Sequence, residues 1–119
     1  METARRELLV NAGIDVDDLV ARCMGNVQLA ERLLQKFSMD ANYRTLCQAT
    51  QDKDRDKALQ AAHGLKGVCG NLSMTTLHAL LTEQVLAMRS GDWEKAEHLM
   101  PEIVCTYEEV TAALQKAFS

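Results

Sequence analysis

Apolar residues recur at intervals of three and four along most of this chain, the spacing that gathers them on one face of an α-helix. The pattern predicts a short helix over residues 15–24, with Asp15 as its N-cap and Gly25 as its end. A second helix is predicted from residue 27 to about residue 50. Its apolar positions continue without interruption at Ala30, Leu33, Leu34, Phe37, Ala41 and Leu46. No segment shows the alternation of apolar and polar residues that is typical of a β-strand.

The same spacing predicts a third helix that ends near Leu72 and a fourth that is capped by Ser73 and ends at residues 90–92. From Trp93 to the C-terminus the pattern runs straight through Pro101. Proline inside a helix removes one hydrogen bond and clashes with the preceding turn. This last segment is therefore either one kinked helix or two abutting helices, and the unbroken pattern favours the kink.

Four long amphipathic helices joined by short connections favour antiparallel packing of neighbours along the chain. We therefore expect an all-α fold, an antiparallel up-down four-helix bundle over about residues 13–118 with a short additional N-terminal helix. Residues 1–12 are expected to be a leader. A length of 119 residues, with 47% hydrophobic residues, suits one domain with its own apolar core.

Three of the six glycines stand at positions 64, 67 and 70, inside the third predicted helix. Each interior glycine costs about 1 kcal/mol of helix stability relative to alanine, so the cluster indicates a need for small residues. On a helical wheel the apolar side of this segment contains Ala58, Ala61, Ala62, Leu65, Val68, Cys69 and Leu72. The opposite side, at spacings of i, i+3, i+4 and i+7, contains His63, Lys66, Gly67 and Gly70.

An exposed imidazole beside a lysine, on a surface without side-chain bulk, is typical of a group that accepts a phosphoryl group from another protein. Histidine suits this chemistry because its ordinary pKa of about 6.5 leaves a neutral, nucleophilic ring nitrogen at neutral pH. The simpler interpretation is a surface histidine in a helix weakened by glycine. The combined cost of the glycines and their shared face with His63 favour the functional interpretation.

The run AHGLKGVCGNL, residues 62–72, resembles the signature of histidine-containing phosphotransfer (HPt) domains. The resemblance implies that His63 accepts a phosphoryl group from the aspartate of a response-regulator receiver domain and passes it to the aspartate of another. It also implies that Lys66 attracts the phosphoryl group. The sequence departs from the family pattern at Gly64, where a bulkier residue is usual, and at residues 68–69, where a small polar pair is usual.

Several residues near His63 are candidates for contact with a receiver domain. Gly67 and Gly70 would leave room for the loops of the partner, and Gly64 belongs to the same group. Leu59 lies close to His63 on the wheel and is a candidate apolar contact, although an ordinary exposed leucine fits its position equally well. Gln84, on the fourth predicted helix, is a candidate hydrogen-bond donor or acceptor near His63.

The charge and the cysteines exclude several classes of function. A net charge of −4 without a basic stripe argues against a general nucleic-acid binder. The four cysteines form no C-x-x-C pair, so a zinc site is not expected and a reducing cytoplasm is the natural compartment. No stretch approaches the roughly 18 apolar residues of a membrane span. We expect a monomer with no cofactor or metal of its own, and any Mg²⁺ would belong to the receiver domain.

The expected partners are receiver domains, of which one can belong to a hybrid sensor kinase. The chain has no nucleotide-binding loop or kinase signature, so we do not expect it to be an enzyme. Three alternatives remain open. The chain could be the phosphotransfer module of a chemotaxis-type kinase, phosphorylated directly by a kinase domain. It could be a helical interaction domain without phosphate chemistry. A metal or enzyme site at His63, His78 and Cys69 is disfavoured, because the wheel turns Cys69 inward.

Overall fold

The computed structural model describes residues 1–119 and is all-α, as predicted. Its eight α-helices are α1 (Thr3–Asn11), α2 (Val16–Arg22), α3 (Val27–Lys36), α4 (Asn42–Gln51), α5 (Arg55–Asn71), α6 (Thr75–Arg89), α7 (Trp93–His98) and α8 (Met100–Ala117). A short 3-10 helix, Phe37–Met39, follows α3. In the bundle α5 packs on α4 and α6, α6 packs on α7 and α8, and α1 packs on α8. None of these helices combines the length and the apolar character that a membrane span requires.

Side-chain caps determine where four of the helices begin. Asp15 accepts a hydrogen bond from the Asp18 amide at 3.1 Å, as predicted for α2. The corresponding caps of α3, α5 and α7 are Asn26, Asp54 and Asp92. Gly25 follows α2 with a φ of +82°, in the left-handed region that favours glycine, which confirms the predicted end of that helix.

The predicted second helix is wrong in one respect, because it is divided into α3 and α4. Asp40 adopts an extended conformation with φ −75° and ψ 129°. Its carboxylate accepts a hydrogen bond at 2.9 Å from the amide of Asn42, the first residue of α4. The apolar spacing hides this break because both helices bury residues in one core, with Leu34 and Phe37 before it and Leu46 after it.

Ser73 does not cap the fourth predicted helix. The residue has a φ of +55°, and α6 begins after Met74 without a side-chain cap. The Ser73 hydroxyl instead donates a hydrogen bond to Asp18 Oδ2 at 2.6 Å. Sequence proximity suggested a local cap, but the hydroxyl is used in a tertiary contact between α2 and the α5–α6 connection.

The C-terminal segment forms two helices, so the preferred interpretation of a kink is wrong. Helices α7 and α8 meet at Leu99, and Pro101 is the second residue of α8. In the first turn of a helix the amide hydrogen that proline lacks would have no intrahelical partner. Pro101 therefore begins a helix at no hydrogen-bonding cost, and the apolar pattern continues because both helices pack on the same core.

Most of residues 1–12, the expected leader, form α1. Leu9 is fully buried against the bundle. Arg5 donates a hydrogen bond from Nε to the Ala117 carbonyl oxygen at 2.7 Å and forms an ion pair with Glu31 at 2.6 Å. Its guanidinium also lies 4.9 Å from the centre of the Phe118 ring. These contacts connect the N-terminal helix to the C-terminal end of α8.

Candidate functional site

Helix α5 presents two faces that differ as the wheel predicts. All of the predicted apolar positions are buried except Val68, which is half-buried. His63 and Gly67 are exposed on the other side, and Lys66 is half-buried beside them. The alanines on the buried face let α5 pack closely on α4 and α6, while the histidine on the other face is exposed to solvent.

The only side chain within hydrogen-bonding distance of the His63 ring is that of Arg89, the last residue of α6. Arg89 Nη2 lies 3.4 Å from His63 Nδ1. A guanidinium can only donate hydrogen bonds, so Nδ1 faces a donor while Nε2 makes no hydrogen bond with the protein. Lys66, one turn away on α5, is the second cation near the ring.

Sequence reasoning missed Arg89, because its position beside His63 depends on the register of α6 on α5. Helices α5 and α6 are antiparallel, and Gly70 lies against His78. His63, seven positions before Gly70 on α5, therefore lies opposite the last turn of α6. A long side chain at position 89 then extends back towards His63. That inference requires the register of the two helices, which the apolar pattern alone does not provide.

Gln84 does not lie beside His63, contrary to our expectation. Its side chain is fully buried on the far side of α6. Nε2 donates hydrogen bonds to the Ala96 carbonyl oxygen at 3.1 Å and to Met100 Sδ at 3.0 Å. Gln84 therefore connects α6 to α7 and α8.

The three glycines of α5 have three different surroundings. A Cβ atom on Gly64 would lie 2.6 Å from Asn42 Oδ1, so this glycine allows close packing of α4 on α5. Gly64 thus lies against α4 on one side and remains half-buried next to His63. A Cβ on Gly70 would lie 3.2 Å from the His78 ring, whereas one on Gly67 would meet no atom within 4 Å. Of these three glycines, only Gly67 has an unobstructed Cβ position.

Two leucines lie on the helices that carry the cations. Leu59, one turn before His63, is half-buried and packs at the edge of the apolar core. Leu86, one turn before Arg89, is 65% exposed and was not identified from the sequence. Leu86 is therefore the more exposed apolar side chain beside the Arg89 and His63 pair.

A shallow groove of about 430 Å³ extends from Lys66 and Gly67 towards α2. The contact between Ser73 and Asp18 forms part of its wall, and Arg22 donates a second hydrogen bond to Asp18 at 2.9 Å. The Ser73 hydrogen bond, followed by that of Arg22, lowers the pKa of the Asp18 carboxyl. This network fixes α2 beside the glycine-bearing face of α5.

We expect Ser73→Ala to raise the pKa of Asp18 towards the ordinary value of 3.8. In the native protein this carboxylate contributes stability above that ordinary pKa, and the contribution is lost as the pH falls through the lowered folded value. Carboxyl ¹³C chemical shifts of Asp18 across an acid titration measure the change. Thr75→Ala removes a neighbouring hydroxyl that bonds to the Gly13 carbonyl oxygen instead and serves as the control. An identical Asp18 titration in Ser73→Ala would contradict the assignment.

The alternative site at His63, His78 and Cys69 is not assembled. Cys69 is fully buried, and burial raises the pKa of its thiol to about 12. A protonated thiol is a poor metal ligand and nucleophile. No three histidine, cysteine or acidic side chains converge in a manner that would hold a metal ion.

Comparison with known families identifies residues 16–117 as an Hpt domain. The match includes α2 to α8 and the whole segment around His63. Comparisons with curated proteins and with solved structures give no match. Because the family model matches most of the chain, and the all-α bundle with an exposed histidine on its central helix agrees with it, this protein belongs to the Hpt domain family of phosphotransfer modules.

Proposed function

We propose that this protein is the intermediate of a phosphorelay in which His63 accepts a phosphoryl group from the aspartate of one receiver domain and transfers it to the aspartate of another. The observation that carries the proposal is the position of His63. Its ring is exposed on α5, one turn from Lys66 and from the open space at Gly67, and Arg89 Nη2 lies 3.4 Å from its Nδ1. Membership of the Hpt family supports the same chemistry.

The proposed transfer takes place at Nε2 of His63. Its lone pair attacks the phosphorus atom as the bond between phosphorus and the aspartyl oxygen breaks, and the carboxylate leaves with the electron pair. Nε2 is the ring nitrogen without a protein partner, and the reacting tautomer carries its proton on Nδ1. Arg89 must then leave Nδ1, and its long, exposed side chain can move to the phosphoryl oxygens.

The two cations have a supporting role in this mechanism. A phosphoryl group carries between one and two negative charges at neutral pH, so Lys66 and Arg89 would stabilise it once it is attached. Exposed ion pairs contribute only about 0–1 kcal/mol each. We therefore expect these side chains to adjust the rate of transfer and the lifetime of phosphohistidine, while His63 alone is indispensable.

Arg89→Ala should slow transfer and shorten the lifetime of the phosphorylated protein. Loss of one exposed charge contact of about 1 kcal/mol corresponds to about a fivefold change. Lys66→Ala should have an effect of similar size. Arg32→Ala, which removes an exposed arginine on α3, is the matched control. Single-turnover transfer rates measure the effects, and an Arg89→Ala rate equal to that of the control would exclude the role.

The proposed partners are receiver domains that supply their own Mg²⁺, and the protein is expected to act as a monomer in the cytoplasm. All four cysteines are free, which suits a reducing compartment. The surface available to such a partner includes Gly67, the exposed Leu86 and the groove beside α2. It combines a small residue, an apolar side chain and two cations within one side of the α5–α6 pair.

The test is transfer of labelled phosphoryl groups from a panel of aspartyl-phosphorylated receiver domains. We expect acid-labile, alkali-stable label on the protein, and its loss when an unphosphorylated receiver is added. A folded protein that takes no label from any receiver would contradict the relay. Label from a kinase domain alone would instead indicate the module of a chemotaxis-type kinase, and no label from either source would indicate an interaction domain.

A further inference from the structure

Helix α2 is fixed against the end of α5 by contacts that lie outside the phosphotransfer site. The buried residues Ile14 and Met74 form an antiparallel bridge between the α1–α2 and α5–α6 connections. The Asp15 amide donates a hydrogen bond to the Ser73 carbonyl oxygen at 2.8 Å. Leu19 is fully buried and holds the other side of α2 in the core. The exposed residues of α2 therefore have a fixed position beside the groove that α2 shares with α5.

Arg22, the last residue of α2, lines this groove together with Lys66 and Gly67. Its Nε donates a hydrogen bond to Asp18 Oδ2 at 2.9 Å, and the Ser73 hydroxyl donates to the same oxygen at 2.6 Å. The carboxylate is thus held from two sides and restricts the Arg22 side chain. The terminal nitrogens of Arg22 make no hydrogen bond with the protein. They form a planar fork of N–H donors, which matches the geometry of a carboxylate.

The charges around the groove favour a negatively charged occupant, although the whole protein carries a net charge of −4. Residues 58–82, which form most of α5 and the first half of α6, contain no acidic residue. Their one formal charge is that of Lys66, which forms no ion pair within the protein. Asp18 is the only acidic residue that lines the groove, and its carboxylate is already engaged by Ser73 and Arg22.

We propose that Arg22 is a specificity-determining residue that binds an acidic side chain on the surface of the receiver domain, beside the phosphorylated aspartate. The inference rests on the proposed relay. Gly67 lies one turn from His63 and also lines the groove, so a receiver domain that reaches His63 across Gly67 covers the groove. Charges at the rim of an interface act mainly on association and on the choice of partner. Arg22 thus favours receivers that are acidic at this point and does not contact the transferred group.

Charge reversal at Arg22 tests the proposal, with single-turnover transfer measured over a range of receiver concentrations. Arg22→Glu should raise the half-saturating receiver concentration by about tenfold, with a much smaller change in the maximal rate, because it replaces an attraction by a repulsion. Arg22→Lys keeps the charge without the planar fork and should lie between the two. Arg32→Glu changes an exposed arginine on α3 by the same charge and is the matched control. Equal half-saturating concentrations in Arg22→Glu and Arg32→Glu would overturn the proposal.

The salt dependence of transfer to the wild-type protein provides a second test that does not depend on the folding of a variant. Salt screens exposed charges over about 10 Å at 0.1 M ionic strength, so the half-saturating receiver concentration should rise as salt is added. A value that does not change with salt would overturn the proposal. The two levels of failure are distinguishable. A wild type that takes no label from any receiver contradicts the relay itself, whereas a labelled wild type with Arg22→Glu equal to Arg32→Glu contradicts only the role of Arg22.

Discussion

His63→Gln should abolish phosphorylation of this protein by every receiver domain that phosphorylates the wild type. Glutamine is similar in size to histidine, but its amide nitrogen lacks a nucleophilic lone pair. The fold should survive, because His63 is exposed and the only side chain within hydrogen-bonding distance of its ring is that of Arg89, at 3.4 Å. Surface substitutions of this kind usually change the free energy of unfolding by less than about 0.5 kcal/mol. Transfer of labelled phosphoryl groups measures the loss, and thermal unfolding followed by circular dichroism checks the fold.

The two other histidines provide matched controls for this result. His78 is half-buried against Gly70, and His98 is exposed at the end of α7. His78→Gln and His98→Gln should both retain the acid-labile label. Label that persists on His63→Gln, or disappears only in one of the two controls, would show that another residue is the phosphoacceptor.

The sequence was sufficient to predict which face of α5 is exposed, because the period of a helix determines which of its residues share a face. Residues three and four positions apart share a face, so burial of Leu65 and Cys69 required exposure of His63 and Gly67. Caps such as Asp15 were predictable for a similar reason, since their hydrogen bonds reach only three residues along the chain. Local geometry was sufficient for both inferences.

The features that sequence reasoning missed depend on contacts between helices. Apolar spacing did not reveal the break at Asp40, since a chain can change direction and still bury the next apolar residue in the same core. Ser73 was assigned to a local cap although it bonds to Asp18, 55 positions away in the chain. The positions of Arg89 and Gln84 required the register of α6 on α5 and α7. Pattern alone leaves that register undetermined.

The glycines of α5 illustrate the same limit within one motif. From the sequence, Gly64, Gly67 and Gly70 had the same explanation, namely space for a partner. The structure separates them, because Asn42 occupies the space beside Gly64 and His78 the space beside Gly70. Two of the three therefore lie against side chains of neighbouring helices, and Gly70 also lines the groove beside α2. Only the glycine at position 67 has an unobstructed Cβ position.

Gly67→Gln should block transfer from receiver domains while leaving the bundle at least as stable. Glutamine is a better helix former than glycine by about 0.5 kcal/mol or more, and a Cβ at this position meets no atom within 4 Å. Its side chain would occupy the space one turn from His63 that a receiver domain must enter. Displacement of a reacting group by about 1 Å can cost about 100-fold in rate. We expect a loss of at least that size, measured by single-turnover transfer.

Three comparisons separate obstruction from damage to the histidine or to the fold. Small phosphoramidate should still phosphorylate His63 in Gly67→Gln, because it needs far less space than a receiver domain. Gly67→Ala should be stabilised with a much smaller loss of transfer. Gly64→Ala requires the Asn42 side chain to shift, because the new methyl group would lie 2.6 Å from Asn42 Oδ1, so it should gain less stability than Gly67→Ala. If Gly67→Gln accepted phosphoryl groups from receivers at the wild-type rate, the open space at Gly67 would have no part in docking. Gly67 would then lower the stability of α5 without contributing to transfer.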